Sequence, residues 1–250
     1  MAARSGQIFT ELNAAWAIAK KDIAIYYLKP NIVVSGALFP LFMFLAFAIG
    51  NNAGPSVMIP GLIAITILFS ASSIEPVSIP IERRMKTFDR LISAPISLHA
   101  VVLGESLSGF LYSVAIAFVP FVAGLLIFRT PILNVVPLIV GVVLTAFCFA
   151  TMGTLFAAYP TESPGDIMSM LNMVRLPLIF ISGVFIPITA IPAIGQDAVY
   201  FSPLTYGNDL IQAAYHGHTI FNPLVDVVML CIFILVFQFL ANRLYKKFNE

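Results

Sequence analysis

Apolar runs about twenty residues long recur along this chain, separated by short polar stretches. Crossing a bilayer's hydrocarbon core as a helix takes about 20 mostly apolar residues. About six runs meet that length: residues 31–50, 57–79, 100–128, 132–158, 167–189 and 224–242. Pro40, Pro60, Pro76, Pro120, Pro137 and Pro177 fall inside them. Neighbouring membrane helices re-satisfy the backbone groups a proline frees, so these read as kinks rather than boundaries. Residues 7–29 follow a different period. Phe9, Leu12, Trp16, Ala19, Ile23 and Tyr26 recur at steps of three and four, one face of a helix. With a Trp and the pair Lys20–Lys21, that segment suits the membrane interface. Residues 190–221 carry no Lys or Arg but are rich in apolar residues, among them Ala198-Val199-Tyr200-Phe201 and Leu210–Tyr215. A structureless loop of that length is uncommon. Short helices re-entering the outer leaflet are expected there. The expected fold is all-α and polytopic: one transmembrane domain over 1–250, an amino-terminal interfacial helix, and a re-entrant segment between the fifth and sixth spans.

Composition agrees. The chain is 60% hydrophobic and 10% charged, with mean hydropathy +0.97. Globular domains carry roughly a quarter charged residues, which excludes a water-soluble fold. A net charge of +1 leaves no basic field for nucleic acid. With the amino terminus in the cytoplasm, the cytoplasmic segments hold twelve of the thirteen Lys and Arg, and Arg129 alone lies outside. Cytoplasmic loops carry such an excess, so both termini are expected inside the cell membrane. Cys148 and Cys231 lack CxxC spacing, and the pair His216 and His218 is too sparse for a metal clip, so neither a disulfide framework nor a metal site is expected.

Little soluble material is left to carry chemistry. GxxxxGK[ST], GxSxG and HExxH are all missing, so the chain is not itself a P-loop ATPase and no catalytic residue is expected. The dense polar segment is 82–97, with Glu82, Arg83, Arg84, Lys86, Thr87 and Arg90. Within it Phe88, Leu91, Ile92 and Pro95 fall at i, i+3, i+4 and i+7. Positive-inside bias explains the cations alone. It does not explain an amphipathic helix stopped by proline, which suits docking into a partner's groove. Glu75, in the second run, is a membrane-embedded carboxylate and so a functional candidate by default. Its shallow depth favours a structural ion pair, with Arg175 or an amino-terminal lysine. Glu105 is shallower still and is expected to face headgroups or the 82–97 segment.

Glu82-Arg83-Arg84 followed by Thr87-Phe88-Asp89-Arg90-Leu91-Ile92-Ser93-Ala94-Pro95-Ile96-Ser97 resembles the cytoplasmic coupling segment of type-2 ABC exporter permeases, the class of polysaccharide, nodulation-factor and drug-resistance permeases. A second stretch agrees: Leu178, Ile181-Ser182, Val184, Ile191-Pro192, Pro203-Leu204-Thr205-Tyr206 and Gln212. Arg175 departs from the class, which has an apolar or small residue there, and Lys86 stands where many relatives have Gly. The resemblance implies a half-transporter, a permease homodimer in membrane lipid driven by two separate ATP-binding subunits. Those subunits, not this chain, bind ATP and Mg. It also implies a dimer contact or substrate path on the fifth span, at Ser182, Gly183 and Phe185. From the residues alone, an ion-coupled secondary transporter and an intramembrane enzyme remain as alternatives. The first lacks visible internal repeats and the second a catalytic constellation.

Overall fold

A helix that is apolar on every side has to be covered on every side, and the run starting at Pro55 is so placed. The structure, a computed structural model, describes residues 2–42, 45–46, 55–185, 188 and 197–249. α1 (Ala2–Tyr26) leads into α2 (Pro30–Val33), which passes through a π-turn (Val34–Leu38) and stays helical to Phe42. α3 (Pro55–Ala71) and α4 (Glu75–Arg84) share one span. They are followed by α5 (Thr87–Ile92), α6 (Leu98–Leu126), α7 (Val135–Ala157), α8 (Pro164–Ile181), α9 (Pro203–His216) and α10 (Pro223–Asn249). Among the described residues, five stretches are long and apolar enough to cross a membrane: Met58–Arg84, Leu98–Leu126, Val135–Ala157, Pro164–Ile181 and Pro223–Phe248. The first expected span, 31–50, is helical as far as it is described, and 43–44 and 47–50 lie outside the described residues. Among the described residues there is no strand. The chain is an all-α polytopic membrane protein.

α3 is the axis of the bundle. Ile63, Ala64, Ile65, Ile67, Leu68 and Phe69 point in all directions and are all buried, packed by α6, α7 and α9. α10 is the opposite case, with Leu224, Val228, Leu235 and Phe239 exposed, as a lipid-facing helix requires. Lipid tails are as apolar as leucine, so contacts between membrane helices rest on close packing at small residues. Gly104 on α6 is one such place: a Cβ there would meet Ala15 O at 2.7 Å and Ile18 Cβ at 2.9 Å. Helix starts are capped by side chains that accept free N–H groups: Ser97 from Ala100 at 3.1 Å, Asn134 from Val136 at 3.1 Å, and Ser163 from Asp166 at 3.4 Å. Glu11 and Ser97 bind each other, and Phe88 lies 5.9 Å from Tyr245 between ring centroids. α1, α5 and the last turns of α10 therefore share one end of the bundle, the basic end.

Three expectations change. The second run is not one kinked helix. It breaks at Ser72–Ile74, and Pro76 opens the first turn of α4. The fifth run, expected over 167–189, is helical over Pro164–Ile181, and its residues 186–187 and 189 lie outside the described residues. Pro164 and the Ser163 cap start it early, and Gly183, at φ 78°, ends it in the left-handed conformation that terminates helices. On α1 the packed face is Ala15, Ile18, Ala19, Asp22 and Tyr26, whereas Phe9, Leu12 and Trp16 are exposed. The sequence stripe had merged the face that binds α6 with the face that meets lipid.

α9 has 14 residues, about 21 Å, too short to cross a core of about 30 Å. Its last turn lies beside the start of α7, where Leu133 N and Asn134 N donate to Ala214 O at 2.8 and 3.1 Å. Its first turn is deeper, with Gly207 pressed on Thr145 about ten residues into α7. Nearly all of α9 is buried. Residues 190–196 of the expected re-entrant segment lie outside the described residues.

Candidate functional site

The break between α3 and α4 begins with serines. Ser70, Ser72 and Ser73 turn their hydroxyls back to Thr66, Leu68 and Phe69 carbonyls, a habit that bends helices. Pro76 has no N–H to continue the ladder. Carbonyls at the end of α3 are thereby left for another donor, and Arg175 of α8 supplies it. Its Nε donates to Ser72 Oγ at 3.0 Å, and its Nη2 to Ser72 Oγ at 2.7 Å, Ser73 Oγ at 3.1 Å and the Ser72 and Phe69 carbonyls. Nη1 donates to Asn172 Oδ1 at 3.3 Å, and the guanidinium stacks 5.1 Å over the Phe69 ring. A cation at a helix C-terminus is favoured by the helix dipole. Glu75 occupies the complementary position, in the first turn of α4.

Glu75 Oε1 accepts from Gly109 N at 3.0 Å. Gly153 closes the other side, where a Cβ would come 2.9 Å from Glu75 Oε2 and 2.8 Å from Ser72 Cα. Among the described residues no ion pair joins Glu75 to Arg175 or to an amino-terminal lysine. The expected structural pair is replaced by two buried polar side chains, each bonded at a different place along the break.

At the basic end the chain folds as a tight helix–turn–helix. Met85 closes α4, Lys86 adopts φ 59°, and α5 begins at Thr87, whose Oγ1 donates to Glu82 O at 3.2 Å. A left-handed residue is easiest for glycine, so Lys86 holds a conformation that few side chains adopt. The apolar stripe expected to face a partner turns inward instead. Phe88 is 0% exposed, packed among Ile79, Val102, Ala157, Ala241 and Tyr245, with Leu91 and Ile92 half-buried beside it. Arg83 also turns inward, donating to the Tyr159 and Ala158 carbonyls past the end of α7 and stacking 5.2 Å over Phe88. Glu82 is buried against α1, where it accepts from Lys21 at 2.6 Å and Tyr26 Oη at 3.3 Å. The residues left outward are Arg84, Met85, Lys86, Thr87, Asp89 and Arg90. Met85, 65% exposed, is the apolar knob that the helical period missed, because it sits in the turn between the two helices.

Of the fifth-span candidates, Ser182 is buried with its hydroxyl donating to Ile179 O at 2.8 Å, and Gly183 terminates the helix. Phe185 packs on the core and lies 6.2 Å from Phe180. The outward face of α8 is earlier in the helix: Ser169, Asn172, Met173, Leu176 and Phe180. Asn172 had a signal in the sequence, an amide three residues before Arg175 in an otherwise apolar run.

An all-α polytopic bundle with an embedded break and a small outward patch at its basic end has the make-up of a membrane permease. The family described as ABC-2 type transporter matches residues 13–216, most of the chain, and this chain belongs to it. It is a transmembrane subunit of an ABC transporter, and membership implies an ATP-binding ABC partner. It is 27% identical over 224 residues to nodulation protein J of Rhizobium leguminosarum bv. trifolii, covering 84% of this chain and 81% of that one. It is 24% identical over 241 residues to the inner membrane transport permease YadH of Escherichia coli (strain K12), covering 90% and 89%.

Proposed function

We propose that this chain is one half of the membrane pore of an ATP-driven exporter. Two copies pair in the inner membrane, both termini face the cytoplasm, and separate subunits bind and hydrolyse ATP with Mg. The cargo is amphipathic: a lipid-like molecule, a drug or a glycan. The observation that carries the reading is the outward patch Arg84, Met85, Lys86, Thr87, Asp89 and Arg90 on a hairpin that Phe88 anchors to the bundle. Such a patch transmits force because its root is rigid. An ATPase pair closing against Met85 moves α4 and α5 as a lever, and the break at Ser72–Ile74 is the hinge about which α4 turns against α3. Arg175 keeps the opened carbonyls bonded through the motion. Orientation is supported by the charge split, and pairing by the outward face of α8, where Asn172 and Ser169 are poorly suited to lipid.

Met85→Asp tests the docking. An apolar anchor typically contributes about 2 kcal/mol or more to binding, while exposed rim charges contribute about 0–1 kcal/mol with salt dependence. Met85→Asp should abolish copurification of the ATPase from detergent extracts, and Lys86→Ala should leave it nearly intact. Full retention of the ATPase by Met85→Asp, with normal transport in vesicles, would overturn the docking assignment.

A further inference from the structure

The junction between α1, α4 and α6 gathers more negative charge than its one cation can balance. Lys21 Nζ lies 2.6 Å from Glu82 Oε1, 3.2 Å from Asp22 Oδ1 and 3.6 Å from Glu105 Oε1. Asp22, Glu82 and Glu105 are 0%, 5% and 1% exposed, so Glu105 faces α1 rather than headgroups. Three carboxylates round one ammonium leave two negative charges in a medium where an uncompensated buried charge is strongly destabilising. Glu82 is satisfied by Lys21 and Tyr26 Oη. Asp22 and Glu105 are not: no hydrogen bond reaches either oxygen of either group. Yet the two carboxyls are neighbours, both set against the one Lys21 ammonium, Asp22 Oδ1 at 3.2 Å and Glu105 Oε1 at 3.6 Å. Two facing carboxylates repel, whereas a carboxylic acid facing a carboxylate forms a strong hydrogen bond.

We propose that Asp22 and Glu105 form a proton-binding site that holds one proton between them, and that this proton fastens the interfacial helix α1 to α6 beside the Glu82 end of α4. The other ionisable groups facing the site are Lys21, Tyr26 and Tyr27 beside it in the chain, Glu82 and the more distant Glu75 on α4, and Tyr245 on α10. Burial pushes the Asp22 carboxyl up to about 6, with Lys21 opposing and Glu82 adding to the shift. Burial pulls Lys21 down, but Glu105, Asp22 and Glu82 outweigh it, so Lys21 stays charged over the range in which the pair titrates. Lys21, 30% exposed, leaves the site open to protons from the basic end. The consequence is a pH-dependent joint. Loss of the proton places two carboxylates in contact across α1 and α6 and loosens α1 beside Glu82, the residue next to the outward patch.

A carboxyl with a raised folded-state value binds its proton more tightly when folded, so stability is highest at acid pH and falls as pH rises through the site's range. Thermal unfolding of the purified full-length permease in detergent, from about pH 5 to about pH 8, reads this directly. In the native chain Tm should fall by several degrees across that range. Asp22→Asn and Glu105→Gln, which carry the neutral form permanently, should each flatten the fall. Glu162→Gln, in an exposed pair with Lys86, should keep the native slope. Native slopes in Asp22→Asn and Glu105→Gln overturn the proposal. If those variants do not fold, an infrared pH titration of the native chain decides. A protonated-carboxyl band lost as the pH rises through the same range supports the site, and its absence overturns it. The outcome is independent of whether Met85 docks an ATPase.

Discussion

Arg175 places a guanidinium, 1% exposed, inside a bundle that excludes water, where an unpaired cation would be far too costly to keep. It is tolerated because it serves as the missing donor for a helix end. Removing it strands the Ser72 and Phe69 carbonyls together. Arg175→Met should therefore cost on the order of 3 kcal/mol, a Tm loss of about 6–12 °C for a chain of this size. Arg175→Lys should recover only part of that, because one ammonium cannot reproduce a planar fork of donors. Thermal unfolding in detergent measures both, and a native Tm for Arg175→Met would refute the clamp. Phe88 belongs to the same scale. Its ring is core, so Phe88→Ala should cost about 3–5 kcal/mol and reduce the yield of monodisperse protein on size exclusion. Met85→Asp, in the adjacent turn, should leave folding unchanged.

Among the elements, α1 is the one that ties the basic end to α6. It is fastened to α6 at three places: Glu11 on Ser97, Gly104 under Ala15 and Ile18, and Lys21 beside Glu105. Gly104→Val inserts its side chain where a bare Cβ already meets Ala15 O at 2.7 Å. The backbone of α1 has to move, at about 1–3 kcal/mol. A cysteine at Ala15, buried in the native chain, should then become reactive to maleimide in membranes. Continued protection of that cysteine would show that α1 is not held by this contact. The break between α3 and α4 is likewise a property of elements, because two half-helices with opposite dipole ends at one depth can turn against each other where a continuous helix cannot.

At the scale of the whole molecule, the exposed faces of α10 and α8 differ in kind. α10 exposes an unbroken apolar face, whereas α8 exposes Asn172 and Ser169 among its apolar residues. Single cysteines at Asn172 or Met173 should cross-link two permease copies in native membranes, while one at Leu235 on α10 should not. Cross-linking at Leu235 alone would move the dimer contact to the other side of the bundle. Orientation is tested separately. A reporter near Lys86 or after Lys247 should be cytoplasmic and one near His216 external, and the reverse pattern would invert the molecule.

How much of this could be read without coordinates follows the range of the forces involved. Helical class and the polytopic make-up were legible because each depends on consecutive apolar residues, a local condition. The relative placement of the basic segments was legible for the same reason. The second-span break was not, since Pro76 is equally compatible with a kink. What opens the helix is the concurrence of serine back-bonding with an arginine arriving from 103 residues away. Phe88, Leu91 and Ile92 were correctly found as an apolar face. Periodicity tells only that such a face is covered, and the covering surface here is α10 and α7 of the same chain. Glu105 looked shallow because depth along one helix is all that a sequence shows, while its burial is set by α1 lying across it. The sequence by itself determined an all-α membrane bundle with one basic end, because apolar length and charge are carried by each segment alone. Only the tertiary structure decided which charges are buried and which residues remain outward. Those outcomes depend on what the other helices bring to the same place.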